Sequence, residues 1–96
     1  MILHVATGLA WGDQGGRDYF SPDAFLKEGF IHCCSEAQLH GVLERYFSGH
    51  QALILLHIDE TKLIVPLRYE AATNGEMFPH IYGVINKDAN IRISKL

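Results

Sequence analysis

Six histidines stand in a chain of 96 residues, and four of them, His4, His32, His57 and His80, fall on or beside segments that read as β-strands. Imidazole ionises near neutrality, so its surroundings decide whether it acts as acid, base, hydrogen-bonding group or metal ligand. His4 and His32 each follow apolar strand residues and precede a loop or a helix start, which places them at strand ends, where ligand clefts of mixed α/β folds open. A single strand histidine more often satisfies a backbone group than performs chemistry. His57, in line with Leu53 and Leu55, fits that structural role best, and His40 and His50 read as peripheral. His4 and His32 taken together make the stronger case for a site.

Met77-Phe78-Pro79-His80-Ile81-Tyr82-Gly83 is dense in rings, and Pro79 and Gly83 constrain the backbone around His80 and Tyr82. It suits a pocket wall; equally, Phe78 and Tyr82 could fill the core while His80 satisfies a turn. The two cysteines, Cys33 and Cys34, are adjacent. Neighbouring Cα atoms lie about 3.8 Å apart, closer than a disulfide normally spans, so reduced thiols are expected. A helix starting near Ser35 could activate one as a nucleophile, but a buried, inert thiol is the commoner fate.

No C-x-x-C or H-E-x-x-H occurs, and His32 and Cys33 point to opposite faces of a strand, so a metal site would have to be assembled from distant histidines. Neither G-x-G-x-x-G nor G-x-x-x-x-G-K-S/T is present. Arg17, beside the glycines of a loop, and Arg68, on a strand, are the cations placed for a phosphate contact.

These residues need elements to hold them. With 48% hydrophobic and 20% charged residues, one domain spanning residues 1–96 is expected. The net charge of -3 excludes a broad grip on nucleic acid while leaving a small-molecule ligand as the natural partner. No apolar window approaches the roughly 18 residues of a membrane span, and the N-terminus lacks a secretory signal, so a cytoplasmic protein without a membrane partner is expected. Residues 2–5 read as a strand, Gly8 to Pro22 as a long loop, and Ser21-Pro22 as the start of a helical turn stopped by Gly29. Phe30 to Cys33 is a second strand. Ser35 and Gln38 have capping-box spacing before the helical pattern of Leu39, Val42, Leu43, Tyr46 and Phe47, which ends near Gly49. The apolar run 52–58 belongs at a sheet centre. Residues 63–70, with Pro66 at an edge or bulge, 81–85 and 90–94 complete about six short strands around one principal helix, an α+β fold with a small mixed or split sheet.

Ile2 to Thr7, Glu28 to Ser35 with Gln38, Arg68-Tyr69-Glu70 and Phe78 to Gly83 together resemble the bacterial family called domain of unknown function 952, over nearly the whole chain. A more distant resemblance, carried by Leu3-His4-Val5-Ala6-Thr7 and Phe30-Ile31-His32, is to the ADP-ribosyltransferase superfamily and its RNA 2′-phosphotransferases. That likeness implies an ADP-ribosyltransferase-like split sheet holding NAD as substrate. His4 would then bond the ribose or nicotinamide, and His32 would orient ribose or phosphate. Tyr82 or Glu70 would stand in the third position. Val5 occupies the place of an expected glycine, and Glu70 and Glu76 are the carboxylates available to stabilise an oxocarbenium-like ribose.

The leading expectation is a nucleotide-cleft protein acting on NAD or ADP-ribose with transferase-like chemistry. His4, His32 and Glu70 would be catalytic, with Thr7, Arg17, His80 and Tyr82 binding the ligand. A noncatalytic small-molecule or protein-binding module is the alternative, and metal binding by the histidines is the third.

Overall fold

The apolar run in the middle of the chain, Leu53–Ile58, is the central strand of a three-stranded antiparallel sheet, as residues buried on both faces require. The computed structural model describes residues 1–96. In chain order the strands are β1 (Ile2–Thr7), β2 (Tyr19–Phe20), β3 (Ile31–His32), β4 (Leu53–Ile58), β5 (Leu67–Ala71), β6 (Met77–Ile81), β7 (Ile85–Asn86) and β8 (Asn90–Lys95). The helices are α1 (Gly8–Asp13), α2 (Asp23–Glu28) and the main helix α3 (Leu39–Tyr46). Three sheets result: β1-β4-β8, β3-β6-β5 and the short pair β2-β7. In the first, His4 lies opposite Leu56 and Val5 opposite Leu55.

Alternation along β1 divides the core. Leu3 and Val5 join Cys34, Leu53 and Leu55 beneath Leu39, Val42 and Leu43 of α3. Ile2 and Ala6 join Phe20, Ile31, Leu56, Ile58, Ile81 and Ile85 on the opposite face, with Trp11, Phe25 and Val65 packed against them. The second face has no long helix over it. Short elements close it, which is why their positions matter to any cleft there.

The α+β architecture with one main helix is the expected one, but eight strands replace about six. The segment from Gly8 to Pro22, expected as a loop, contains α1 and β2. Thr7 starts α1 by accepting the Ala10 N–H on its hydroxyl at 3.1 Å, and Phe20 is fully buried. The expected strand at 63–70 begins only at Leu67. Leu63 and Val65 nevertheless pack on the core, so their alternation reflected burial without pairing. The expected strand at 81–85 straddles the end of β6 and β7.

The Ser35–Gln38 pair bonds as spaced, with Ser35 N–H donating to Gln38 Oε1 at 2.9 Å and Gln38 N–H to Ser35 Oγ at 3.3 Å, but it closes a turn: the helix expected from Ser35 begins at Leu39. Gly29, at φ 80°, ends α2 in the left-handed conformation. Pro79 lies in β6, the central strand of its sheet. Its carbonyl accepts the Cys33 N–H at 3.0 Å, and it has no N–H to return. The ladder between β3 and β6 therefore loses a bond where β3 ends.

Gly83, at φ 156°, crosses so close to Val65 that a Cβ there would stand 2.5 Å from Val65 Cγ1. Gly83→Ala should lower unfolding free energy by roughly 1–3 kcal/mol in urea titration. Val65→Ala in the same chain should restore part of that loss, giving a favourable coupling in the double-mutant cycle. Strictly additive losses would mean that the two residues do not meet.

Candidate functional site

Strand β1 is joined to the segment just after β3 by a single backbone bridge, in which Leu3 N–H donates to Cys34 O and Cys34 N–H to Leu3 O, each at 2.8 Å. One residue further along β1, the ladder is replaced by a side chain: His4 Nδ1–H donates to the His32 carbonyl at 2.7 Å. An imidazole between two backbones holds them farther apart than a β-ladder, whose strands lie about 4.8 Å from one another. A cleft of about 750 Å³ lies at this split, and 15 of its 23 lining residues are hydrophobic. That size and character are usual for a small-molecule site.

His4 is 93% buried, being 7% exposed. Desolvation lowers its pKa to about 4, against the hydrogen bond to His32, which works upward, and with a smaller downward contribution from the His32 charge. His4 is therefore neutral at pH 7. Because a carbonyl only accepts, Nδ1 carries the proton and Nε2 is a bare acceptor. That Nε2 is buried and has no partner in the protein. An unmet buried acceptor costs about 1–3 kcal/mol, and a ligand donor reaching it would recover that loss.

The second group lies on the β3-β6-β5 sheet, where His32 pairs with His80 and His80 with Arg68 across the strands. His32 Nε2 meets the Glu28 carboxylate, at the end of α2. Phe30 stacks on the His80 ring, with centroids 4.2 Å apart, and the His32 ring meets His80 edge-on at 5.1 Å. His80 Nδ1 bonds Glu70 Oε1 at 2.8 Å, and the Tyr82 hydroxyl donates to the same oxygen. The Tyr82 hydroxyl first, and His80 second, hold the Glu70 carboxyl below the usual carboxylate range; the same bond raises the Tyr82 hydroxyl.

Of the residues singled out in the sequence, His4, Thr7, His32, Cys33, Cys34, Phe78 and His80 line the cleft. Glu70 and Tyr82 stand behind His80 and outside the lining, and Arg68 lies over the Tyr82 ring at 5.1 Å. Arg17 is elsewhere, 5.5 Å from the Tyr19 ring and beside Asp18, Lys87 and Asp88 in a separate polar depression. Glu76 engages Gln38 and Arg45. His57 bonds the Ser94 hydroxyl at 2.9 Å, and His40 forms an exposed pair with Glu44. Burial pushes both thiols up, that of Cys34 to about 11, which suits inert core residues. No group of three or more His, Cys, Asp or Glu side chains converges to hold a metal ion.

Phe20, Asp23 and Glu28 also line the cleft and carried no signal as site residues. Phe20 sat in a presumed loop. Glu28 precedes His32 by four residues, but α2 stops at Gly29, so no helical spacing announced their meeting.

The model of the family described as "Protein of unknown function (DUF952)" matches residues 6–93. The chain is similar to the protein CC0527 of Caulobacter crescentus. Its crystal structure superposes with a TM-score of 0.90 at 26% identity, covering 99% of this chain and 84% of that one. Its solution NMR structure gives 0.84 at 26% identity, with 99% and 83% covered. No curated protein matches the chain.

The burial of His4 sets a pH dependence. Its pKa falls from 6.5 to about 4 on folding, so between those values the unfolded chain binds more protons. This contribution to stability is complete above about pH 6.5 and is lost as pH falls toward 4, of order 3 kcal/mol in all. Urea midpoints of the wild type should fall more steeply between pH 7 and 4.5 than those of His4→Leu; parallel curves would show that His4 is not buried neutral.

Proposed function

We propose that this chain, which belongs to the DUF952 family of proteins of unknown function, binds a nucleotide of the NAD or ADP-ribose class in the cleft between β1 and β3. The observation that carries the reading is the cleft itself, lined by His4, whose buried Nε2 has no partner in the protein. It calls for a ligand with a hydroxyl or amide N–H donor, and a ribose or a nicotinamide carboxamide offers both.

The lining favours one end of such a nucleotide. Asp23 and Glu28 contribute carboxylates, and no Lys or Arg lines the cleft. A cationic nicotinamide ring suits these surroundings, with its phosphates directed to solvent. An oxocarbenium ribose developing in the cleft gains from nearby negative charge, and Asp23 and Glu28 in the lining supply it, which supports transferase-like chemistry. The noncatalytic alternative draws on one specific observation: Glu70 is engaged by Tyr82 and His80 instead of facing the cleft.

Titration of the protein with NAD, and separately with ADP-ribose, followed by two-dimensional amide NMR, tests this reading. Saturable shifts at millimolar ligand should cluster around residues 4–7, 28–34 and 78–80. His4→Leu should weaken binding about tenfold, or 1.4 kcal/mol, while keeping a folded spectrum. A wild-type spectrum unchanged by both ligands would sink the proposal.

A further inference from the structure

We propose that Glu70 and His80 form a carboxylate–histidine dyad in which His80 Nε2 takes the proton from a hydroxyl nucleophile in the cleft, with Glu70 as its positioning residue. The inference rests on the nucleotide reading and adds a reacting group to it.

A carboxylate in its ionised form only accepts, so the 2.8 Å contact places a proton on His80 Nδ1, and in the neutral ring Nε2 then keeps a free lone pair. Nε2 has no protein partner, and His80 lines the cleft. The ring is pinned from several directions. Phe30 stacks on it, His32 meets it edge-on, and its side chain is 12% exposed. Glu70 is itself fixed by the Tyr82 hydroxyl, and Tyr82 by the Arg68 guanidinium over its ring. A rotating surface histidine would have none of these restraints. A base oriented through its second nitrogen by a carboxylate is the arrangement that sets the tautomer and stabilises the imidazolium formed on proton transfer.

With NAD in the cleft and water as nucleophile, the step balances without another reactant. The water oxygen bonds to C1′ of the nicotinamide-bearing ribose as the C1′–N bond breaks. The electron pair of that bond returns to the pyridinium nitrogen, and neutral nicotinamide leaves. The water proton passes to His80 Nε2 and then to solvent, so the products are ADP-ribose, nicotinamide and a proton.

Imidazole nitrogen NMR of the free protein at pH 8 reads the dyad without any ligand. His80 should appear as the Nδ1–H tautomer and should lose that preference in Glu70→Leu. An Nε2–H tautomer in the wild type overturns the proposal. Nicotinamide release at saturating NAD should fall about 100-fold in His80→Gln, the lower range of general-base effects, while His40→Gln matches wild type. Glu70→Gln keeps an acceptor for Nδ1–H but lacks the charge, so it should retain the tautomer and slow release. Unchanged release in His80→Gln, or binding by wild type with no release, overturns the catalytic step and leaves the binding reading standing. Absence of NAD binding overturns the ligand class, while an Nδ1–H signal still upholds the fixed acceptor. Amide spectra of each variant verify folding.

Discussion

The hydrogen bond from His4 Nδ1 to the His32 carbonyl is the constraint on which the cleft depends. Two antiparallel strands that begin to pair at Leu3 and Cys34 would ordinarily continue, because each further residue satisfies backbone groups that must otherwise find other partners. Here the His32 carbonyl is satisfied by a side chain, so the strands can separate without leaving that group unpaired. Pro79 limits the pairing of β3 on its other edge. Having no N–H, it cannot return the bond that Cys33 gives it, and β3 is only two residues long. The split between β1 and β3 is marked by the identity of one histidine.

The separation is affordable because the rest of the sheet is anchored elsewhere. β4 pairs along both of its edges, with β1 and β8, and supplies Leu55 to one core and Leu56 to the other. α3 covers one face, while α1, α2 and the β2-β7 pair close the other around Phe20. His4 is thus held in apolar surroundings by strands that cannot relax toward it. Its low pKa and its unmet Nε2 have this one cause, desolvation of a fixed ring.

Elements with strong local signals were legible in the sequence. The run through β4, the Ser35–Gln38 box and the stop at Gly29 each rest on contacts within a few residues or on burial of a whole segment. α1 and β2 were missed because they are short, and β2 is held by a distant partner: Tyr19 pairs with Asn86, and Phe20 with Ile85. The site divides in the same way. Position at a strand end pointed to His4 and His32, and ring density pointed to His80 and Tyr82. Nothing local revealed that Glu28 would reach His32, that Glu70 would stand behind His80, or that the glycine-rich loop would carry Arg17 away from the cleft. Those meetings are set by strand register and by where short elements dock.

His4 and His80 reach one chemical state by different routes. Each gives its Nδ1 proton to an acceptor fixed by strand geometry, a backbone carbonyl for His4 and a carboxylate for His80. In the neutral ring each therefore keeps a free Nε2 lone pair, that of His4 buried and that of His80 without a protein partner. The difference matters to function. A carbonyl gives little stabilisation to a protonated imidazole surrounded by apolar groups, so His4 is suited to recognise a donor while remaining neutral. A carboxylate stabilises the imidazolium directly, so His80 is the ring suited to hold a proton in transit. Under the proposed function, recognition and proton transfer belong to separate histidines because the split gives one a carbonyl and the sheet gives the other a carboxylate.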